Sequence, residues 1–207
     1  MMEDRQSTSI RAARGARDLA EEKALVQRAQ KDPAAFGKLF DRYYDDIHNY
    51  IIHRTANIAL AQELTSNTFY KALNKLWMFR WKGVPFSAWL YRIASNEVNG
   101  FYRKYKQFHL HPIEDYDEKL IDELTEADRE ILAAEEQLAN DVMFVELHKC
   151  IATLKPRYQE VITLRFFEGR KIAEIASILG KSEGTVKSLL HRSIAKLREI
   201  LDKKEQA

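Results

Sequence analysis

Lys187, Ser188, His191 and Arg192 lie within six consecutive residues. Steps of three and four put side chains on one face of a helix. Small, hydroxyl and basic groups on such a face suit insertion into a DNA major groove, where they meet phosphates and base edges. A second set lies upstream. Phe79-Arg80-Trp81-Lys82-Gly83-Val84 places an aromatic between two cations at a break in the chain, followed by Asn96, Asn99, Arg103 and Lys104. Aromatic faces with cations hold unpaired bases, and carboxamides pair with base edges. Bond-making chemistry has no comparable support. There is no Ser-His-Asp set, phosphate-cradling glycine loop or histidine pair at ligand spacing. His109 and His111 sit two apart beside Pro112, and the single Cys150 excludes an internal disulfide and a Cys-based zinc site. No catalytic residue, metal or cofactor is expected.

The downstream set needs a helix-turn-helix to present it, and IAEIASILGKSEGTVKSLLH (172–191) reads as one. Ala176 is small where two helices would cross. Gly180 supplies the positive φ of the turn. Ser182 is an N-cap, with Thr185 one turn on. Val186, Leu190, Ile194, Leu197 and Leu201 recur at steps of four, four, three and four and form the predicted buried seam. Earlier in this unit, Pro156 opens a helix expected through Phe166, and Glu168-Gly169 turns the chain.

The upstream set needs a bundle. The pattern predicts helices over about 18–30, from Pro33 through Ile51, over 58–77 and over 87–106. Lys31-Asp32-Pro33 reads as a stop, an N-cap and a first-turn proline. Phe36, Leu39, Phe40, Tyr43, Tyr44, Ile47, Tyr50 and Ile51 make one wide apolar face; Leu60, Leu64, Phe69, Ala72, Leu73 and Leu76 make another. Ten of the 22 aromatics fall between Trp77 and Phe108. Trp89, Leu90, Ile93 and Phe101 are expected in the core.

Seven glycines and four prolines in 207 residues are too few for a turn-rich β protein, so the fold class is all-α. The net charge of +2 conceals a segregation. Residues 36–107 and 142–207 are basic, while 113–141 carry twelve acidic residues against two basic ones. Exposed charges are screened beyond roughly 8 Å at cellular salt, so each block acts locally. This divides the chain into an unstructured extension (1–21), a first helical domain (22–107), an acidic linker (108–141), a helix-turn-helix domain (142–202) and a tail (203–207). No membrane span or signal peptide is expected, and the cysteine usage suits the cytoplasm.

The assembled motifs resemble those of bacterial RNA polymerase sigma factors of the extracytoplasmic-function (ECF) type. DPAAFGKLFDRYYDDIHNYI resembles the start of the family's N-terminal domain, LAQELTSNTFYKALNKL its polymerase-docking helix, and FSAWLYRIASNEVNGFYRKYK its −10-element helix. The segment from Leu154 to Leu201 resembles the −35-binding domain. The resemblance implies that Gln62, Glu63, Ser66 and Asn67 face the β′ clamp of core polymerase, with the β flap as a further contact. It implies that the loop Arg80 to Val84, with Trp81 and Lys82, receives a flipped base near Asn96. Arg103 and Lys104 would track phosphates, and Lys187, Ser188, His191 and Arg192 would read duplex −35 DNA. Glu63, Ser66 and Asn67 stand where relatives often carry Asp, Gln and Glu. Relatives often have a basic residue at the position of Leu189, which implies that Leu189 or Leu190 faces partly outward here. The linker resembles the segment that threads into polymerase. Many relatives are held by an anti-sigma protein. The free chain is expected to be a monomer.

Two rival readings follow from the same residues. A self-sufficient helix-turn-helix regulator would bind duplex DNA tightly without polymerase, but no heptads supply the usual dimer. An enzyme using the acidic run as metal ligands would need carboxylates fixed by a fold, which a solvated linker does not provide.

Overall fold

The structure is a computed structural model that describes residues 19–81, 84–109 and 141–205. Among these residues every regular element is a helix. We number the α-helices α1 (19–29), α2 (Phe36–Thr55), α3 (Ile58–Lys75), α4 (Phe86–His109), α5 (Asp141–Ala152), α6 (Pro156–Ile162), α7 (Ile172–Leu179) and α8 (Glu183–Glu205).

Local chemistry sets the joints. Asp32 accepts from the Ala34 N–H at 3.0 Å and starts a short 3₁₀ turn, Pro33–Ala35, that leads into α2. The chain leaves α2 at Ala56 in a left-handed conformation (φ 49°), and Asn57 caps α3 by accepting from the Leu60 N–H at 2.8 Å. A 3₁₀ turn, Leu76–Met78, ends α3. Pro156 opens α6, whose last turn widens into a π-helical segment, Thr163–Phe167.

In the first unit α2, α3 and α4 pack on one another, with Leu39, Ile47, Tyr50, Ile51, Phe86, Leu90, Tyr91 and Val98 wholly buried. In the second, α6, α7 and α8 enclose Val161, Leu164, Ile175 and Val186. Each core is continuous with the other, because α4 also packs on α7 and α2 on the π segment. The expected helices are present within a few residues of their predicted ends.

Three expectations need correction. Two residues of the predicted apolar faces, Leu73 of α3 and Phe40 of α2, are 38% and 37% exposed; on α3 the bundle covers Ala72 and Leu76 instead. Trp89, Ile93 and Phe101 are only half-buried, while Leu90 and the neighbouring Tyr91 are fully enclosed. Neither Leu189 nor Leu190 faces outward: they are 6% and 8% exposed. The seam of α8 is therefore wider than a step-of-four stripe. It takes in Leu189 and Ser193, whose hydroxyl donates to the Leu189 carbonyl within the buried face.

Candidate nucleic-acid interface

The helix-turn-helix forms as its residues dictate. Gly180 ends α7 with φ +62°, the left-handed region where a side chain would be strained. Its N–H and that of Lys181 satisfy carbonyls of Ser177 and Ala176. Ser182 Oγ accepts from the Thr185 N–H at 3.2 Å and opens α8. Ala176 is buried at the crossing, and Val186 anchors the base of α8. That burial turns Lys187, Ser188, His191 and Arg192 outward together, and all four are exposed. Arg192 Nη2 donates to Ser188 Oγ at 2.8 Å and Nε to the Ser188 carbonyl at 3.2 Å. The guanidinium is thereby held along the helix, with further donors left for a phosphate or base edge.

In the first unit the aromatic loop leaves the 3₁₀ turn at Phe79 and enters α4 at Phe86. Those two rings meet edge to face at 5.3 Å, so the ends of the loop are pinned together. Trp81 is half-buried, with its ring edge-on to Phe79 at 6.2 Å. Arg80 is exposed, but its Nη1 folds back to the Trp77 and Phe79 carbonyls at 2.8 and 3.3 Å. Lys82 lies outside the described residues, as do residues 110–140 of the acidic linker. Asn96, Arg103 and Lys104 are exposed on α4. Asn99 is not free: its Oδ1 accepts from the buried Arg54 at 3.0 Å, and Arg54 also donates to the Tyr50 hydroxyl at 2.9 Å.

A third face runs along α3. Gln62, Glu63 and Ser66 are exposed and Asn67 half-exposed. Helical spacing continues this face through Tyr70, Leu73 and Trp77, of which Tyr70 and Trp77 are each 66% exposed. Sequence reasoning missed these three as surface residues. The legible signal was an aromatic at Tyr70 on the otherwise polar side of α3.

The two DNA-type faces are not independent. Arg92 of α4 donates from Nη2 to the Ser177 carbonyl at 2.6 Å and from Nε to that of Ile178 at 3.0 Å, capping the C-terminus of α7. Beside it, the Tyr91 hydroxyl donates to Glu168 Oε2 and accepts from Arg170 Nη2, each at 2.8 Å, and Arg170 also pairs with Asp46 at 2.9 Å. Burial pushes the Glu168 carboxyl up to about 7 even though Tyr91 and Arg170 favour its ionised form. His53 and His148 stack across the same seam with ring nitrogens 3.2 Å apart, and burial, then His148, pushes His53 down to about 4. A cleft of about 180 Å³ remains between Pro85, Ala88 and Tyr91 on one side and Ala173 and Ser177 on the other. Nothing in the one-dimensional pattern announced Tyr91, Arg92 or Arg170 as partners across the two units.

The family model for Sigma-70 region 2 matches residues 39–108, and that for Sigma-70 region 4 matches residues 144–197. A curated relative, the ECF RNA polymerase sigma factor BldN of Streptomyces coelicolor, is 35% identical over 185 residues, covering 89% of this chain and 67% of the relative. This chain belongs to the ECF sigma factors. Such a protein directs core RNA polymerase to promoters and is itself a non-catalytic initiation factor. The fold agrees with two solved structures. One is CnrH in complex with the cytosolic domain of CnrY, with TM-score 0.62, 24% identity and coverage of 88% of this chain and 97% of the other. The second is the sigma factor RpoE with the anti-sigma factor NepR from Bartonella quintana, with TM-score 0.58, 21% identity and coverage of 81% and 96%. Among the described residues no helix is long and apolar enough to cross a membrane.

Proposed function

We propose that this sigma factor divides its labour among the three faces described above. The face of α3 from Gln62 and Glu63 through Ser66 and Asn67 docks on the β′ clamp of core polymerase, and the second unit engages the β flap. Arg80, Trp81 and Lys82 receive an unstacked base of the −10 element, Asn96 contacts a base edge, and Arg103 and Lys104 follow the phosphates. Asn99, tied to Arg54, steadies this helix and has its amide group left for DNA. Lys187, Ser188, His191 and Arg192 read the −35 element as duplex. The observation that carries this reading is the exposed, basic N-terminal half of α8, delivered by a buried Val186 and a left-handed Gly180.

One geometric consequence supports a role for polymerase in arranging the faces. By their names the two elements lie about 25 base pairs apart, roughly 85 Å at about 3.4 Å per base pair. In the free chain α7 packs on α4, which puts α8 one further helix away, roughly 20 Å. The docked units cannot reach both elements, so the Arg92 and Tyr91 contacts part when polymerase places the units on a promoter. Two modest DNA modules held on one large enzyme then act at high effective concentration. The free protein is a cytoplasmic monomer that acts only with polymerase, and an anti-sigma protein holding the docked form would keep it from polymerase.

Run-off transcription with purified core polymerase on a pool of promoter fragments tests the reading. New specific transcripts that appear only with this chain are expected. Tight duplex binding by the chain alone, with no transcripts, would overturn the polymerase-dependent mechanism.

A further inference from the structure

Helix α1 precedes the residues matched to region 2, which begin at residue 39. It nevertheless touches both ends of the loop assigned above to the −10 base. Glu22 and Val26 of α1 and Gln30, the turn residue directly after it, recur at steps of four and lie on one face of this segment, turned toward the bundle. Val26 is buried at the centre of that face, and a polar residue stands one turn to either side.

The two polar residues have specific work to do. Gln30 Nε2 donates to the main-chain carbonyls of Leu76 and Phe79, both at 2.9 Å. Those are the first and exit residues of the 3₁₀ turn, so one carboxamide sets the direction in which the chain departs toward Arg80 and Trp81. Glu22 is 2% exposed, and its Oε1 accepts from the Phe86 N–H at 3.2 Å and from the Tyr43 hydroxyl. Phe86 is the first residue of α4, where N–H groups have no partner inside the helix. Glu22 supplies that partner from another helix and so fixes where the loop ends and α4 starts.

We infer that Glu22 and Gln30 are positioning residues for −10 recognition: the α1 segment is a clamp that fixes the two ends from which the base-accepting loop departs and to which it returns. An unstacked base gains most from a receptacle that does not have to be ordered on binding. The edge-to-face contact of Phe79 and Phe86 brings the loop's base together, but a ring contact is not directional at the main chain, whereas the hydrogen bonds to Leu76, Phe79 and Phe86 main-chain atoms are. The inference rests on the reading of this loop as the −10 receptor and deepens it.

The test uses holoenzyme reconstituted from core polymerase and full-length chain. Initiation is measured on two promoters differing by one base of the non-template −10 strand, and the ratio of the two rates is the readout. Gln30→Met keeps the length of the side chain and removes both donors. Glu22→Gln keeps an acceptor for Phe86 and serves as a milder second variant. Gln30→Met is expected to reduce the ratio roughly three- to tenfold, the scale of one or two neutral hydrogen bonds. The ratio is read at saturating chain, so any change in core affinity cancels; −35 dependence stays as in the parent, and Glu22→Gln shifts the ratio less. A merely structural role for α1 would slow both promoters alike, and an unchanged ratio in Gln30→Met overturns the clamp. Arg80→Ala and Trp81→Ala, run in parallel, separate the two levels. If they change the ratio and Gln30→Met does not, the clamp fails alone; if they also leave it unchanged, the loop reading fails and the clamp with it.

Discussion

Arg92 Nη2 donates to the Ser177 carbonyl at 2.6 Å across the boundary between the −10 unit and the −35 unit. The bond uses a cation of α4 to cap the C-terminus of α7, the first helix of the helix-turn-helix. Arg92 is an exposed residue, so its two charge-assisted bonds contribute about 1 kcal/mol to docking, which is about a fivefold change in the docked-to-open ratio. Arg92→Ala should therefore lengthen the mean distance between dyes placed at Asn74 and Lys196 in the free chain. An unaltered distance distribution would mean that the seam is held elsewhere.

Glu168 gives this seam a dependence on pH. Tyr91 of α4, Arg170 of its own unit and Asp46 of α2 face it. Burial pushes its carboxyl up from the ordinary 4.5 to about 7 in this docked arrangement, and undocking is expected to return it toward the ordinary value. A raised pKa means that docking gains from the bound proton below about 4.5, loses that gain as pH climbs to about 7, and is level above. His53 has the opposite sign, losing stability as pH falls from 6.5 toward 4. Glu168→Gln keeps an acceptor for Tyr91 and has no proton to lose. Docking in that variant should exceed the parent by a margin that grows between pH 4.5 and 7 and then stays constant. A margin independent of pH would show that Glu168 is ionised equally in both forms.

Much of this was legible before any coordinates. Apolar residues at steps of three and four marked the helices, and Asp32, Pro156, Gly180 and Ser182 marked their ends by local chemistry alone, whereas the Asn57 cap of α3 came only with the structure. The outward set on α8 followed from the inward set. What failed was finer. Leu73 and Leu76 are both apolar and three apart, and only the neighbours that pack on α3 decide which is covered. Leu189 looked like a substitution on the reading face, but the seam of α8 is wide enough to swallow it. Glu22, Gln30, Tyr91 and Arg92 act on backbone atoms or side chains more than forty residues away, apart from the Glu22–Tyr43 bond, and periodicity carries no trace of such pairs.

Leu189 offers a sharp check of that correction. If it faced DNA, Leu189→Arg would strengthen binding to −35 duplex. It is 6% exposed in the apolar cluster that also holds Val186 and Leu190, so a guanidinium there would be taken largely out of water. The substitution should cost roughly 3 kcal/mol or more, lowering the thermal midpoint of the second unit by about 12 °C or more. A stable variant with raised −35 affinity would return Leu189 to the surface. Lys187→Ala is the contrasting change: it removes an exposed cation, should leave the midpoint within about 1 °C, and should reduce the salt slope of duplex binding by about 1.

The α3 face predicts an unequal division of polymerase affinity. Glu63 is an exposed carboxylate at the rim, and such groups contribute modestly and in a salt-dependent way. Trp77 and Tyr70 are large aromatics left mostly in water, each 66% exposed, and large aromatics dominate interfaces when buried by a partner. Trp77→Ala should thus weaken core binding by about 2 kcal/mol, roughly thirtyfold, at low and high salt alike. It removes little from the free fold, because the indole has few neighbours to lose. Glu63→Ala should weaken binding only a few-fold, and the effect should fade as salt rises. Competition against labelled parent chain for core polymerase, at two salt concentrations and alongside thermal melts, separates the two cases. Equal and salt-sensitive losses would place the anchor in the charges; no loss from Trp77→Ala would move the docking surface off this part of α3.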